Sequence, residues 1–178
     1  MSLDDYRKEF ECSANRSLSM PLAGAIIWAV IAVVATQLSE PTSTLILLFA
    51  SGAIFPVALL IARFRGENLV SSSNPLAKLI GLSILMVNLL WAVHIPLFLY
   101  SPTFVPLSLG VGLGLHWIVY SWIVQHPVGI IHAILRTVLI LLAWLAFPES
   151  RLLAVSVVVV FVYAVSIYQM TTRPIAYT

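Results

Sequence analysis

"GIIHAILRTVLILLAW" (residues 129–144) is long and apolar enough to lie in a bilayer, yet it carries Arg136 near its middle and His132 one turn earlier. A cation at the centre of a membrane helix costs roughly 2.5–3.5 kcal/mol on insertion scales, so something must compensate it. The stretch therefore asks what fold surrounds it and what answers its charge.

The rest of the chain settles the first question. Of 178 residues, 61% are hydrophobic and 9% charged, against roughly 25% charged in soluble domains. The apolar residues come in blocks of about 20, the length a helix needs to cross about 30 Å of hydrocarbon, and the alternation of barrel strands is absent. Six such segments run at about 19–38, 42–62, 76–100, 104–125, 127–147 and 150–170. Pro41, Pro75 and Pro127 stand where a first turn needs no amide donor, with Asn74 as a cap before Pro75. Pro148 and Pro174 follow apolar runs as stops. The expected fold is all-α, a polytopic bundle of six transmembrane helices with short loops over residues 19–170. A leader (1–18) precedes it and a short tail (171–178) follows.

Basic residues orient this bundle. Arg7, Lys8, Arg16, Arg63, Arg65, Lys78 and Arg173 fall on one side of a six-crossing topology, and Arg151 falls on the other. The positive-inside rule then makes both termini cytoplasmic, with the chain a multi-pass protein of the plasma membrane. The leader mixes acids and bases, unlike a secretory signal, so the first apolar segment is expected to be retained. Within it Leu3, Tyr6 and Phe10 share a helical face and Ser2 with Asp5 has capping-box spacing, which predicts a short helix at the interface. "RFRGENLVSSSNP" (63–75) reads as a flexible loop with arginines against lipid head groups. The lone Cys12 has no partner for a disulfide or a metal site. A net charge of +2 argues against a nucleic-acid partner.

Inside a bilayer, small residues mark close helix contact and polar ones mark the bundle interior. In "LGVGLGLHWIVYSW" (109–122) Gly110, Gly114, Trp117 and Ser121 form one stripe, and Gly112, His116 and Tyr120 form its neighbour. Gly110 and Gly114 make a GxxxG pair expected to pack tightly. Gly129, His132, Arg136 and Ala143 share one face of the fifth segment. Asn88, Trp91 and His94 form a broad face on the third, and Ser156, Tyr163 and Ser166 a stripe on the sixth. Rise from each end puts Asn88, His116 and Arg136 near mid-depth, with His132 towards the cytoplasm and His94 towards the outside. Each histidine and tyrosine has an ordinary role as an interhelical hydrogen-bonding group. Three histidines at three depths make no zinc site, and no catalytic constellation assembles, so neither a cofactor, a metal nor an enzymatic activity is expected.

The acids sharpen the second question. Asp4, Asp5, Glu9, Glu11, Glu40, Glu67 and Glu149 all lie in termini or loops, so none is placed to pair with Arg136 at mid-depth. Three compensations remain. Arg136 can snorkel past His132 towards the cytoplasmic head groups. It can bond neutral acceptors, for which Pro56 provides one by leaving the Gly52 carbonyl without a donor at a helix kink. Or it can hold an anion, either a lipid phosphate or a solute.

"GAIFPVALLIAR" (52–63), "NPLAKLIGL" (74–82) and "HWIVYSWI" (116–123), after "PLAGAIIW" (21–28), resemble a family of small bacterial integral membrane proteins of unknown function. That resemblance implies a bacterial inner-membrane setting and brings no activity. Two functions follow from the residues. One is a small transporter or channel-like protein whose polar cavity around Arg136, His132, His116 and Asn88 holds an anionic or amphipathic solute. Six helices rarely enclose a gated path alone, so it calls for a homodimer. The other is a non-transporting protein that binds lipid or a partner subunit, with Arg136 structural.

Overall fold

The computed structural model describes residues 1–69 and 73–174, so part of the serine-rich loop and the end of the tail lie outside the described residues. All regular elements among the described residues are helical. Ten α-helices follow in order: α1 (Leu3–Ala14), α2 (Ser19–Gln37), α3 (Glu40–Gly52), α4 (Ile54–Arg65), α5 (Pro75–Asn88), α6 (Trp91–Tyr100), α7 (Val105–Gly112), α8 (Trp117–Val124), α9 (Val128–Ala146) and α10 (Arg151–Thr172). Five continuous stretches are long and apolar enough to cross a membrane, and α3 with α4, bent by 45°, makes a sixth.

The six apolar segments thus return as five helical stretches of spanning length, or six with the bent pair counted as one; the second breaks where Pro56 predicts a kink, and the third and fourth break where uninterrupted helices are expected. The second breaks at Ala53, next to Gly52, whose carbonyl has Pro56 at the donor position. The third breaks at Leu89 and Leu90, and the fourth between Leu113 and His116. Only α2, α9 and α10 are single helices of full span length.

These three unbroken helices form the centre. α10 packs along both α2 and α9, and the α2 contact is close because Gly24 faces the Tyr163 ring, which a Cβ there would strike. Trp28 and Ile31 of α2 and Val155, Val159 and Val162 of α10 are fully buried in that seam. α7 and α8 pack on α9, whereas α5 and α6 sit at the edge, touching α1, α7 and α8. The outward surface is apolar, with Phe49, Leu60, Phe64, Leu89 and Leu99 exposed, while Arg136, His132, Ser156 and Ser166 are buried. Water would make such a surface aggregate; a bilayer makes it the favourable one.

The α8–α9 turn shows how local chemistry starts a helix. Ser121 Oγ accepts from Gly129 N at 2.7 Å and Ile130 N at 2.9 Å, and His126 Nδ1 accepts from Val128 N at 3.2 Å. Pro127 is the cap residue of α9 rather than its first residue. Burial, aided by the Arg173 charge nearby, holds His126 below its ordinary value of 6.5.

At the same end the leader docks on the bundle. Its capping box is present, with Ser2 N donating to Asp5 Oδ2 at 2.6 Å and Asp5 N to Ser2 Oγ at 3.2 Å. That contact lowers the pKa of Asp5, which sits in solvent. The buried face is Arg7, Phe10, Glu11 and Ala14, whereas Leu3 is exposed. The face expected from Leu3, Tyr6 and Phe10 is therefore rotated, because α1 buries an ion pair instead of lipid contacts. Arg173 Nη2 donates to Glu11 at 2.8 and 2.7 Å, with the two side chains 1% and 3% exposed. Arg16 Nη1 donates to the carbonyls of Met170, Thr171 and Arg173 and so closes the end of α10. Leader and tail thus meet at one end of the helices. The loop arginines are not all free for head groups either. Arg65 Nε bonds Glu67 Oε1 at 2.6 Å, and Glu67 Oε2 accepts from Ser19 N at the start of α2.

Removing one partner of a buried pair strands the other charge, so Glu11→Gln is expected to cost about 3–5 kcal/mol in detergent unfolding. Glu11→Leu with Arg173→Met is expected to recover most of it, and a single variant as stable as wild type would make the pair dispensable. For His126 the unfolded chain binds a proton below about pH 6.5 that the folded chain resists. Its contribution is therefore complete above 6.5 and declines as pH falls through that value towards the lower folded pKa. The melting temperature is expected to drop more in wild type than in His126→Asn between about pH 7.5 and 5.5. Parallel drops would assign the dependence elsewhere.

Candidate functional site

Arg136 is fully buried, at 0% exposure, on the face of α9 that includes Gly129, His132, Ile140 and Ala143. It does not snorkel. Its Nε donates to the Gly110 carbonyl at 2.6 Å. That carbonyl is available because the fourth span tightens just after α7. Gly114 N, its partner in a regular α-helix, bonds Val111 O at 2.9 Å instead, and Leu115 N follows suit to Gly112 O at 3.1 Å. The acceptor expected from Pro56, the Gly52 carbonyl, lies on another span and does not receive Arg136. A break supplies the acceptor, as foreseen, but the break is one made by glycines rather than by proline.

The glycines also make room. A Cβ on Gly114 would stand 2.8 Å from Arg136 Cδ, and one on Gly110 would stand 2.9 Å from Ile140 Cδ1. Further along the same stripe, a Cβ on Gly129 would run into the Trp117 carbonyl. Gly110, Gly114, Trp117 and Ser121 all face α9 in this way, so the stripe is its docking surface.

The other guanidinium edges meet α9 and α10. Nη1 lies 3.5 Å from His132 Nε2, and His132 Nδ1 lies 2.7 Å from Ser166 Oγ. Ser166 donates its own proton to Val162 O at 2.8 Å. Ser166 therefore accepts from His132 Nδ1–H, which leaves the Nε2 lone pair to face Arg136. Hydrogen bonds run in one direction from Arg136 through His132 and Ser166 to the backbone. The His132 ring stacks on Trp117 at 3.9 Å, and the guanidinium lies over the Trp28 and Tyr163 rings at 5.6 and 5.2 Å. Nη2 makes no hydrogen bond among the described residues. A carbonyl, a neutral imidazole and two ring faces thus replace a counter-ion.

Space for a ligand lies next to this cluster rather than around it. One cavity of about 120 Å³ opens beneath the leader, between Phe10, Ala14, Asn74 and Tyr120. A deeper one of about 460 Å³ is lined by Gly52, Phe55, Asn88, Leu113 and Tyr163. The two share seven residues, His116, Trp117 and Ile84 among them, and among the described residues neither is lined by an Asp, Glu, Lys or Arg side chain. All three helix breaks contribute a residue to the deeper cavity.

The sequence-derived candidates therefore separate. Arg136 and His132 form the sealed cluster with Gly110 and Gly114. His116 borders both cavities, and its Nδ1 is buried without a hydrogen bond. Asn88, expected to point into the bundle, is instead exposed at its edge and lines only the deeper cavity, because α5 packs loosely. Tyr120 belongs to the leader end, with its hydroxyl 3.4 Å from Arg173 Nη2. His94 is buried apart from all of these, its Nδ1 3.1 Å from Ser108 Oγ. Sequence reasoning missed Trp28. Its signal is the spacing of Pro21, Gly24, Trp28 and Ile31, a small-and-aromatic stripe within an otherwise uniform helix.

Residues 3–173 match a family described as a family of unknown function (DUF7010). The chain belongs to that family. The match spans nearly its whole length and carries no activity. Comparison with curated proteins and with solved structures finds no match.

Arg136→Met is expected to cost about 1–3 kcal/mol, since the Gly110 carbonyl loses its donor, and Gly114→Ala a similar amount by overpacking. The two sites touch, so the double variant is expected to lose less than the sum in unfolding titrations. Additive losses would show that Gly114 and Arg136 act independently.

Proposed function

We propose that this chain is an integral inner-membrane protein, with both termini cytoplasmic, that binds an amphipathic lipid-like molecule in the cleft bordered by α2, α4, α5 and α8. In this reading it does not transport. Arg136 is its internal fastener. The observation that carries the proposal is the separation of charge from space: the Arg136 cation at the middle of α9 is sealed against a carbonyl and rings, while the adjacent cavities are lined by apolar and neutral polar groups. A deeper cavity of about 460 Å³ lies within the roughly 300–1,000 Å³ of small-molecule sites. An apolar outer surface and a charged leader and tail on one side support the membrane placement.

One observation favours the transport reading instead. Three helices break at a single cavity near mid-span, an arrangement that transporters use around a substrate. Flux separates the two.

The protein purified in mild detergent is expected to retain lipid in native mass spectrometry and to show no solute flux in proteoliposomes. Ile84→Trp, which adds bulk at a residue lining both cavities, is expected to release the lipid. Impermeant maleimide is expected to reach the exposed Cys12 only in inside-out vesicles. Flux above that of empty liposomes, or lipid retained by Ile84→Trp, would overturn the binding reading.

A further inference from the structure

The deeper cavity has a chemical bias that the proposed function leaves open. Each of its three helix breaks leaves a lining residue with a carbonyl that has lost its helical donor. Pro56 has no N–H to give Gly52. Ala92 N bonds Leu89 O at 3.2 Å in place of Asn88, and Trp117 N bonds Gly114 O at 3.3 Å in place of Leu113. Gly52, Asn88 and Leu113 all line this cavity. Backbone carbonyls at that depth are tolerated only where something can satisfy them. Such a site adds backbone acceptors to the neutral polar groups of Asn88, His116 and Tyr163. The His116 ring is turned to the Leu113 carbonyl, which leaves the carbonyls of Gly52 and Asn88 as the open acceptors, and His116 Nδ1 has no hydrogen bond among the described residues.

Charge narrows the ligand further. An anion would meet carbonyl oxygens and find no cation in the lining, since Arg136 is turned to Gly110. A cation would suit the carbonyls but would lie against Tyr163 and Trp117, whose other neighbours are the Arg136 guanidinium and its His132 partner. Neither sign of charge is compensated. A neutral group that donates a proton is.

We propose that the deeper cavity binds the hydroxyl of an uncharged lipid, which donates its one proton to an acceptor at the breaks and is held by His116 and Asn88. The chain of that lipid runs along the loosely packed face of α5. This rests on the reading of the cleft as a lipid site. Two lipid classes carry the chemistry, a diacylglycerol and an isoprenoid alcohol, and direct comparison tells them apart.

The full-length protein in detergent is titrated with dioctanoylglycerol and with farnesol, each beside its methyl ether, and with a fatty acid anion and an alkyltrimethylammonium as charged controls. Binding is read by native mass spectrometry and by the rise in melting temperature. One of the two alcohols is expected to bind at least tenfold more tightly than its ether and than either charged control. Asn88→Leu and His116→Phe are each expected to weaken it at least fivefold, with unliganded melting close to wild type. Asn88 is exposed at the bundle edge, so its variant keeps the test valid if His116→Phe unfolds. Ethers that bind as well as alcohols, or a charged control that binds better, would overturn the hydroxyl inference while leaving the cleft reading intact. Binding that survives Ile84→Trp would overturn the cleft reading itself.

Discussion

The contact between Arg136 Nε and the Gly110 carbonyl, 2.6 Å long, holds the rest in place. It solves two problems that neither helix solves alone. α9 carries a cation with no acid inside the bundle to meet it, and the fourth span carries a carbonyl stripped of its helical donor. Each is costly in an apolar medium, and each satisfies the other. The contact needs the close approach that glycines at 110 and 114 allow, and that approach also brings Trp117 onto His132 and Ser121 onto the first amides of α9. Packing and polar satisfaction are one event along this seam.

The same break has a second consequence on its other side. By tightening between Leu113 and His116, the fourth span gives Arg136 an acceptor and turns Leu113 and His116 towards the cavity shared with the second and third spans. The second and third spans break next to the same space, so irregular backbone gathers around one cavity. Charge is kept away from it. The buried ion pair of Glu11 and Arg173 lies at the leader end, and Arg136 lies behind aromatic rings. What remains open is neutral and bordered by the least buried span.

Much of the architecture is legible in composition and periodicity. Six apolar blocks of spanning length, the loops between them and the helix α9 with its buried Arg136 face follow from hydropathy, because a bilayer imposes one requirement on every spanning segment. The glycine stripe of the fourth segment was readable for the same reason, since close helix approach needs small side chains. Less was legible in the site. Asn88 reads as an interior residue by its polarity, yet loose packing of α5 leaves it at the edge. Trp28 and Glu67 gain their roles only from the helices that meet them. Leu3 lost its place on the buried face because Glu11 found Arg173, far away in the chain.

By itself the sequence determined that the chain forms apolar helices of membrane-crossing length, that Arg136 sits on a small, polar face of one of them, and that no acid lies within the apolar segments at its depth. These are properties of single segments, set by side-chain transfer energies and helical spacing. Only the tertiary structure decided which acceptor takes the guanidinium and where space is left. A carbonyl freed without a proline is invisible in a sequence: it depends on whether an amide reaches back three residues or four, and that choice is made by the helix packed against it.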